Sequence, residues 1–262
     1  MKNNNKKISA VSTLHFIRLA YRSVLFVSLI VGYIMYCIDG KVRFPSEPYT
    51  NIPIIMVVWV IFMFEMLIRF FPSRLESHGS QKQFKRNYIK TGNTDINIHD
   101  NNSTVLVLLI WIVFNMIFGT LRMAGIFDDW IMILLCVFYS LCDMICILFF
   151  CPFQTLFMKN KCCSACRIYN WDYAMMFTPL FFVDSLFLKC LLLVSLALFL
   201  RWEITFYRHP EYFSENTNGY LKCVNCKEKL CVHKKQLRSF WKARDRYIKE
   251  TLRRLSSNDS HE

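Results

Sequence analysis

The sequence predicts an all-α integral membrane protein: a bundle of four to five transmembrane helices with a small Cys/His metal-binding module and a basic amphipathic C-terminal helix. Three observations predict this class. Long apolar runs recur along the chain, cysteines cluster in its polar parts, and Lys and Arg concentrate between and after the apolar runs. No sequence motif identifies a reaction.

The apolar runs have the length that a bilayer requires, since a helix needs about 20 mostly apolar residues to cross the hydrocarbon. The predicted spans are 23–38, 52–71, 104–127, 131–151 and 175–202. They divide the chain into a basic N-terminal segment (1–22), a transmembrane bundle (23–202) with a Cys-rich loop (152–174), and a basic tail (203–262).

The formal net charge of +13 is concentrated in the tails and loops. Short loops rich in Lys and Arg stay in the cytoplasm, which predicts a cytoplasmic N terminus and cytoplasmic loops at 72–103 and 152–174. Basic loops that face anionic lipid head groups explain the charge, so no nucleic acid partner is expected. The 72–103 loop is rich in Asn, Lys and Ser without apolar periodicity, and we expect it to be flexible or locally turned.

The run at 175–202 has two interpretations. Its length favours a single crossing, whereas the basic residues after it favour a segment that enters the membrane and returns. The tail is therefore assigned to neither side, with a marginal preference for the cytoplasm, where thiols stay reduced.

Six ionisable residues lie inside the predicted spans, where such residues are rare and usually functional. They are Glu65, Arg69, Arg122, Asp143, Asp184 and Lys189. Glu65 and Arg69 are four residues apart, so they share a helix face and can pair. Asp184 and Lys189 are five apart, about 140° around a helix, which predicts different partners. Three acids and three bases favour pairing between helices, and a proton pathway is the alternative.

The cysteines fall into two groups. Those inside apolar runs (Cys37, Cys136, Cys142, Cys146 and Cys190) are interpreted as packing residues, because buried free cysteine behaves as a small hydrophobe. Cys151 lies at the membrane boundary, where Pro152 ends the helix. The other six form two clusters with a histidine: Cys162, Cys163 and Cys166 in the loop, and Cys223, Cys226, Cys231 and His233 in the tail.

The tail cluster supplies four ligands within a short stretch, which suits a closed tetrahedral zinc site. Cys162, Cys163 and Cys166 either contribute or form a second site. A shared site through Cys163, Cys166, Cys223 and Cys226 would require both clusters on one membrane face. An iron–sulfur cluster is the alternative cofactor, and thiol redox chemistry the alternative use of the cysteines.

The tail beyond the cysteines carries apolar residues at helical spacing among Lys and Arg. This pattern predicts an amphipathic basic helix over 234–255 that docks on anionic lipid head groups or a protein partner.

Three functions follow from these features. The leading hypothesis is partner docking or regulation through the metal module, without catalysis. The second is a membrane oxidoreductase or electron-transfer protein that uses the cysteine clusters. The third is a small proton- or ion-coupled transporter that uses intramembrane Glu and Asp.

Overall fold

The computed structural model describes residues 10–39, 52–72, 81–96, 101–153, 157 and 166–225. Regular structure in these ranges is helical, apart from an antiparallel bridge between Lys90 and Asn218. The α-helices are α1 (Ala10–Asp39), α2 (Ile52–Arg69), α3 (Asn101–Met123), α4 (Asp129–Leu148), α5 (Asp172–Phe177) and α6 (Leu186–Arg208). Short 3-10 helices lie at Lys85–Asn87, Arg167–Trp171, Thr178–Phe182, Pro210–Tyr212, Gly219–Leu221 and Cys223–Asn225.

Three helical stretches are long and apolar enough to cross a membrane: Thr13–Ile38, Asn102–Met123 and Asp129–Leu148. The all-helical class is thereby confirmed, and these helices support a membrane protein. The count of four to five spans stays a prediction.

Helix α1 begins well before the predicted boundary at residue 23, so part of the supposed N-terminal segment belongs to the bundle. Its first turns carry Arg18 and Arg22, both buried. The helix continues through these charges because acidic side chains on other helices accept them. Along its length α1 packs mainly on α4.

Helices α3 and α4 are joined by a short turn with two local determinants. Gly125 has a φ of 73°, in the left-handed region that glycine adopts without steric cost. Asp128 caps α4, since its side chain accepts a hydrogen bond of 2.9 Å from the Ile131 N–H. On α3, Gly119 lies so close to the Phe182 ring that a Cβ there would collide with it. Because of this close approach, the 3-10 helix Thr178–Phe182 packs against α3.

The run at 175–202 is not one helix. Helix α5 and the 3-10 helix Thr178–Phe182 lead into the bundle, residues 183–185 are non-helical, and α6 leads back. Pro179 lies in the first turn of the 3-10 helix, where its missing N–H costs nothing. We call residues 172–208 the central hairpin.

Contacts with α2 establish the opposite directions of its two limbs. On the first limb, Tyr173 contacts Glu65, and about one turn later the Phe177 ring lies 5.4 Å from the Phe62 ring. The first limb therefore runs antiparallel to α2. On the second, Phe187 O accepts a 3.0 Å hydrogen bond from Trp59 Nε1.

The second limb ends beside the start of the first. Arg201 donates to the carbonyl oxygen of Phe70, just past the end of α2, and Glu203 accepts a 2.6 Å hydrogen bond from the indole of Trp171. Both ends of the central hairpin therefore lie at the same end of the bundle, and its apolar residues form the main core with α2 and α4.

Residues 81–96 contain turns and the 3-10 helix Lys85–Asn87, which is the locally turned alternative expected for the 72–103 loop. Gln81, Lys82 and Gln83 are buried. The stretch also pairs with the chain after α6, since Gly219 N–H donates to Ile89 O at 2.7 Å. Phe84 and Tyr88 also pack here, with ring centres 5.0 Å from those of Trp202 and Tyr212, so isolated aromatic residues without helical or strand periodicity contribute to the contacts.

Candidate functional site

Glu65 is the centre of a buried ion network. It accepts from two arginines of α1, Arg18 Nε at 3.1 Å and Arg22 Nη2 at 2.8 Å. The hydroxyls of Tyr21 and Tyr173 also donate to it, at 2.8 and 3.0 Å. Two cations and two hydroxyls thus satisfy both carboxylate oxygens, which is the condition for keeping a charge away from water.

The network extends in two directions. Arg22 Nη1 donates to the Ser140 carbonyl oxygen at 2.9 Å and lies 3.5 Å from Asp143 Oδ2. Arg69, which its spacing would pair with Glu65, donates to Asp172 Oδ1 at 2.7 Å.

We define the buried ion network as Arg18, Arg22, Glu65, Arg69, Asp143 and Asp172. It carries three positive and three negative formal charges. The sequence interpretation missed Arg18 and Arg22, which it placed before the first span, and Asp172, which it placed in a loop. A weak signal for the arginines was available: they are four residues apart in a stretch with helical apolar spacing.

The remaining predicted intramembrane charges lie elsewhere. Arg122 Nη2 is 2.6 Å from Asp129 Oδ1 across the turn between α3 and α4. Lys189 Nζ lies 3.4 Å from Asp184 Oδ1, with the Asp184 side chain fully exposed. The prediction of different partners for this pair is wrong because Asp184 precedes α6 and the helical angle does not apply.

A second polar cluster connects the chain just before the central hairpin to the end of its second limb. Arg167 Nη2 donates to Glu203 Oε2 at 2.6 Å, and the guanidinium lies 4.1 Å from the centre of the Phe206 ring. Burial alone would lower the pKa of Arg167, but hydrogen bonds with Glu203 and Tyr207 and their charges raise it above its usual value. Arg167 therefore stays charged.

A cavity of about 140 Å³ lies beside the ion network. Its walls are mainly apolar and come from α3, α4, α5 and the chain around Tyr169. Two acids of the network, Asp143 and Asp172, contribute to its lining. The cysteines at its wall are Cys142, Cys146, Cys151 and Cys166. Two residues interpreted as packing cysteines thus share a cavity with one predicted metal ligand.

The predicted metal ligands are only partly within the described residues. Cys166 is buried, 4% exposed, and contributes to a small apolar cluster with Val107 and Trp171. For Cys223 only the backbone is described, in a short 3-10 helix. The predicted ligands Cys162, Cys163, Cys226, Cys231 and His233, and the predicted helix 234–255, lie outside the described residues.

Within the described part of the chain, no group of three or more His, Cys, Asp or Glu side chains is arranged to hold a metal ion. The zinc module therefore stays a prediction. No family model, curated protein or solved structure matches the chain. Geometry and chemistry alone carry the functional argument for this all-helical protein with membrane-length apolar helices.

Proposed function

We propose that the chain is a polytopic membrane protein in which a cysteine-rich zinc module at the cytoplasmic end of the bundle acts in partner docking or regulation. The zinc ligands are Cys223, Cys226, Cys231 and His233. Cys162 and Cys163 contribute or form a second site, and Cys166 belongs to the cavity wall.

The observation that carries this proposal is a common anchor for the two cysteine clusters. Gln83 Oε1 accepts a 2.6 Å hydrogen bond from Asn170 Nδ2, four residues after Cys166. One residue earlier, the Lys82 carbonyl oxygen accepts a 2.9 Å hydrogen bond from Asn218 Nδ2, five residues before Cys223. Because a residue spans at most about 3.6 Å, both clusters start within a short reach of the same buried segment.

The central hairpin supports a cytoplasmic tail. Helices α1 to α4 act as four crossings, and the hairpin enters from the end that bears the 72–103 and 152–174 loops and returns to it. All basic loops and tails then share one face, as the positive-inside rule favours. That face is reducing, which keeps the ligand thiols available for metal.

Docking fits the basic helix predicted over 234–255, which would lie against anionic lipid head groups or a protein partner beside the module. A transporter is less well supported. Glu65 is held by Arg18 and Arg22, and Asp184 is exposed away from the buried ion network, so these acids do not form one path.

Metal analysis of the full-length protein, purified without oxygen in detergent, tests the proposal. We expect about one zinc per chain, lost in Cys226→Ser and in His233→Ala. Cys190→Ser is the matched control, because Cys190 lies within α6 and outside the proposed ligand set. It should retain zinc.

Absence of zinc in the wild-type protein, or its retention in both ligand variants, contradicts the module. Iron with sulfide and visible absorption would replace zinc by an iron–sulfur cluster. Once chelation has exposed the thiols, a membrane-impermeant maleimide added to intact cells should leave Cys226 unlabelled. Labelling would place the tail outside.

A further inference from the structure

Two of the cysteines at the cavity wall lie close together in the chain. Cys146 lies in the last turn of α4, and Cys151 follows the end of that helix, directly before Pro152. Both side chains line the same cavity. Because Cys151 lies outside the helix, helical geometry does not fix its side chain away from Cys146. A disulfide requires the two Cβ atoms to approach closely, which this position allows.

The size and lining of the cavity select the class of ligand. An apolar cavity of about 150 Å³ is enough to bind benzene in a protein interior. The present cavity, at about 140 Å³, is close to that size. Trp111, Tyr139 and Met175 line it, and aromatic and thioether side chains pack well on a flat ring.

A proton acceptor lies at the same wall. Asp143 is three residues before Cys146 on α4, so both side chains share a helix face. Its Oδ2 is buried and has no hydrogen-bond partner in the described part of the chain, with Arg22 Nη1 at 3.5 Å.

We propose that this cavity binds the ring of a membrane-soluble quinone and that Cys146 and Cys151 are the dithiol that the quinone oxidises. The ring occupies the cavity, and an alkyl tail extends from it. The proposal goes beyond the zinc module and does not depend on it.

The reaction is a two-electron exchange. Asp143 takes a thiol proton, and the resulting thiolate adds to a ring carbon of the quinone. The second sulfur then attacks the first, so that the S–S bond forms and the C–S bond breaks. The electron pair stays on the ring, and the two protons lost by the thiols end on the two quinone oxygens. The products are one disulfide and one hydroquinone.

This step would give the membrane protein a redox input. Cys166 lies at the same cavity and is next in sequence to Arg167, whose contact with Glu203 joins the chain before the central hairpin to the second limb. A change at the cavity wall would therefore act beside the segment that leads to the proposed metal module.

A benzoquinone with a decyl tail tests the proposal on reduced, full-length protein without oxygen. We expect one Cys146–Cys151 disulfide, identified by peptide mass spectrometry after differential alkylation, and about one hydroquinone per chain. Cys146→Ser and Cys151→Ser should each abolish both products. Cys190→Ser, a change in α6 outside the cavity lining, should leave them intact.

Three results would overturn the proposal. The first is disulfide formation with diamide but not with the quinone, which shows a dithiol without a quinone site. The second is unchanged hydroquinone production by Cys146→Ser and Cys151→Ser. The third is that a decyl chain without a ring protects Cys146 and Cys151 from alkylation as well as the decyl benzoquinone does. That result would identify a site for a lipid tail. Zinc content, measured in the same samples, reports separately on the metal module.

Discussion

Charged pairs at the two ends of the bundle have the same chemistry and different environments. At one end, Arg22 and Glu65 have side chains only 1% and 9% exposed, held by hydroxyls and a carbonyl. At the other end, the Lys189 and Asp184 side chains are 39% and 100% exposed. All four residues lie in or near apolar runs and look alike in the sequence.

The difference shows that an apolar neighbourhood in sequence does not establish that a charge is buried. Burial requires donors and acceptors from distant parts of the chain, and Glu65 obtains them from α1 and α5. Removal of one partner from such a cluster leaves an uncompensated charge, whereas an exposed pair is screened by its surroundings.

The largest effect is expected for Glu65→Gln. The change keeps the side-chain size but leaves Arg18 and Arg22 buried without their shared anion, which should cost about 3–5 kcal/mol of stability. Unfolding in detergent, followed by circular dichroism, measures it. Glu211→Gln, which affects a partly exposed contact with His209, is the matched control and should change little.

The combination of Glu65→Met with Arg22→Met sharpens the same comparison. An apolar pair often replaces a buried ion pair without loss. The double variant still leaves Arg18 without Glu65 and Asp143 without Arg22, but these opposite charges sum to zero, whereas Glu65→Gln leaves an excess positive charge. The double variant should therefore be more stable than Glu65→Gln. If the Glu65→Gln protein were as stable as the wild type, the buried pair at one end would contribute no more to stability than the exposed pair at the other.

A smaller effect is expected for Trp171→Phe. The indole donates to the charged Glu203 at 2.6 Å, and a hydrogen bond to a charged group contributes about 1.5–3 kcal/mol. Trp59→Phe is the control, since its indole donates to the neutral carbonyl oxygen of Phe187 at 3.0 Å. Both changes remove the same ring area. An equal loss of stability in the two variants would show that the charge of Glu203 adds nothing.

The smallest effect is expected for Asp184→Asn. Its carboxylate is fully exposed and 3.4 Å from Lys189, a contact that contributes little. The unfolding curve should superimpose on that of the wild type. A clear loss of stability would mean that this end of the bundle is covered in the native membrane protein.

The sequence predicted the helices far better than it predicted their partners. Spans 52–71, 104–127 and 131–151 agree with α2, α3 and α4 to within a few residues, because the length and composition of an apolar run are local properties. The start of α1 was missed because Arg18 and Arg22 resemble a cytoplasmic flank until Glu65 is seen to accept them.

The candidate site was predicted only in part. Glu65, Arg69 and Asp143 were recognised as unusual, since ionisable residues in apolar runs are rare. The cavity was not predicted, because Cys146 and Cys151 reach it from the end of one helix while Cys166 reaches it from a later part of the chain.

The all-helical class and the apolar lengths of the main helices could be predicted from the sequence, since both depend on neighbouring residues. Long-range contacts were needed to show that residues 172–208 turn back and that Arg69 donates to Asp172 rather than to Glu65 on its own helix. The physical reason is that a buried charge, or a buried interruption of a helix, is stable only when its polar groups find hydrogen-bond or charge partners, and here those partners are distant in sequence.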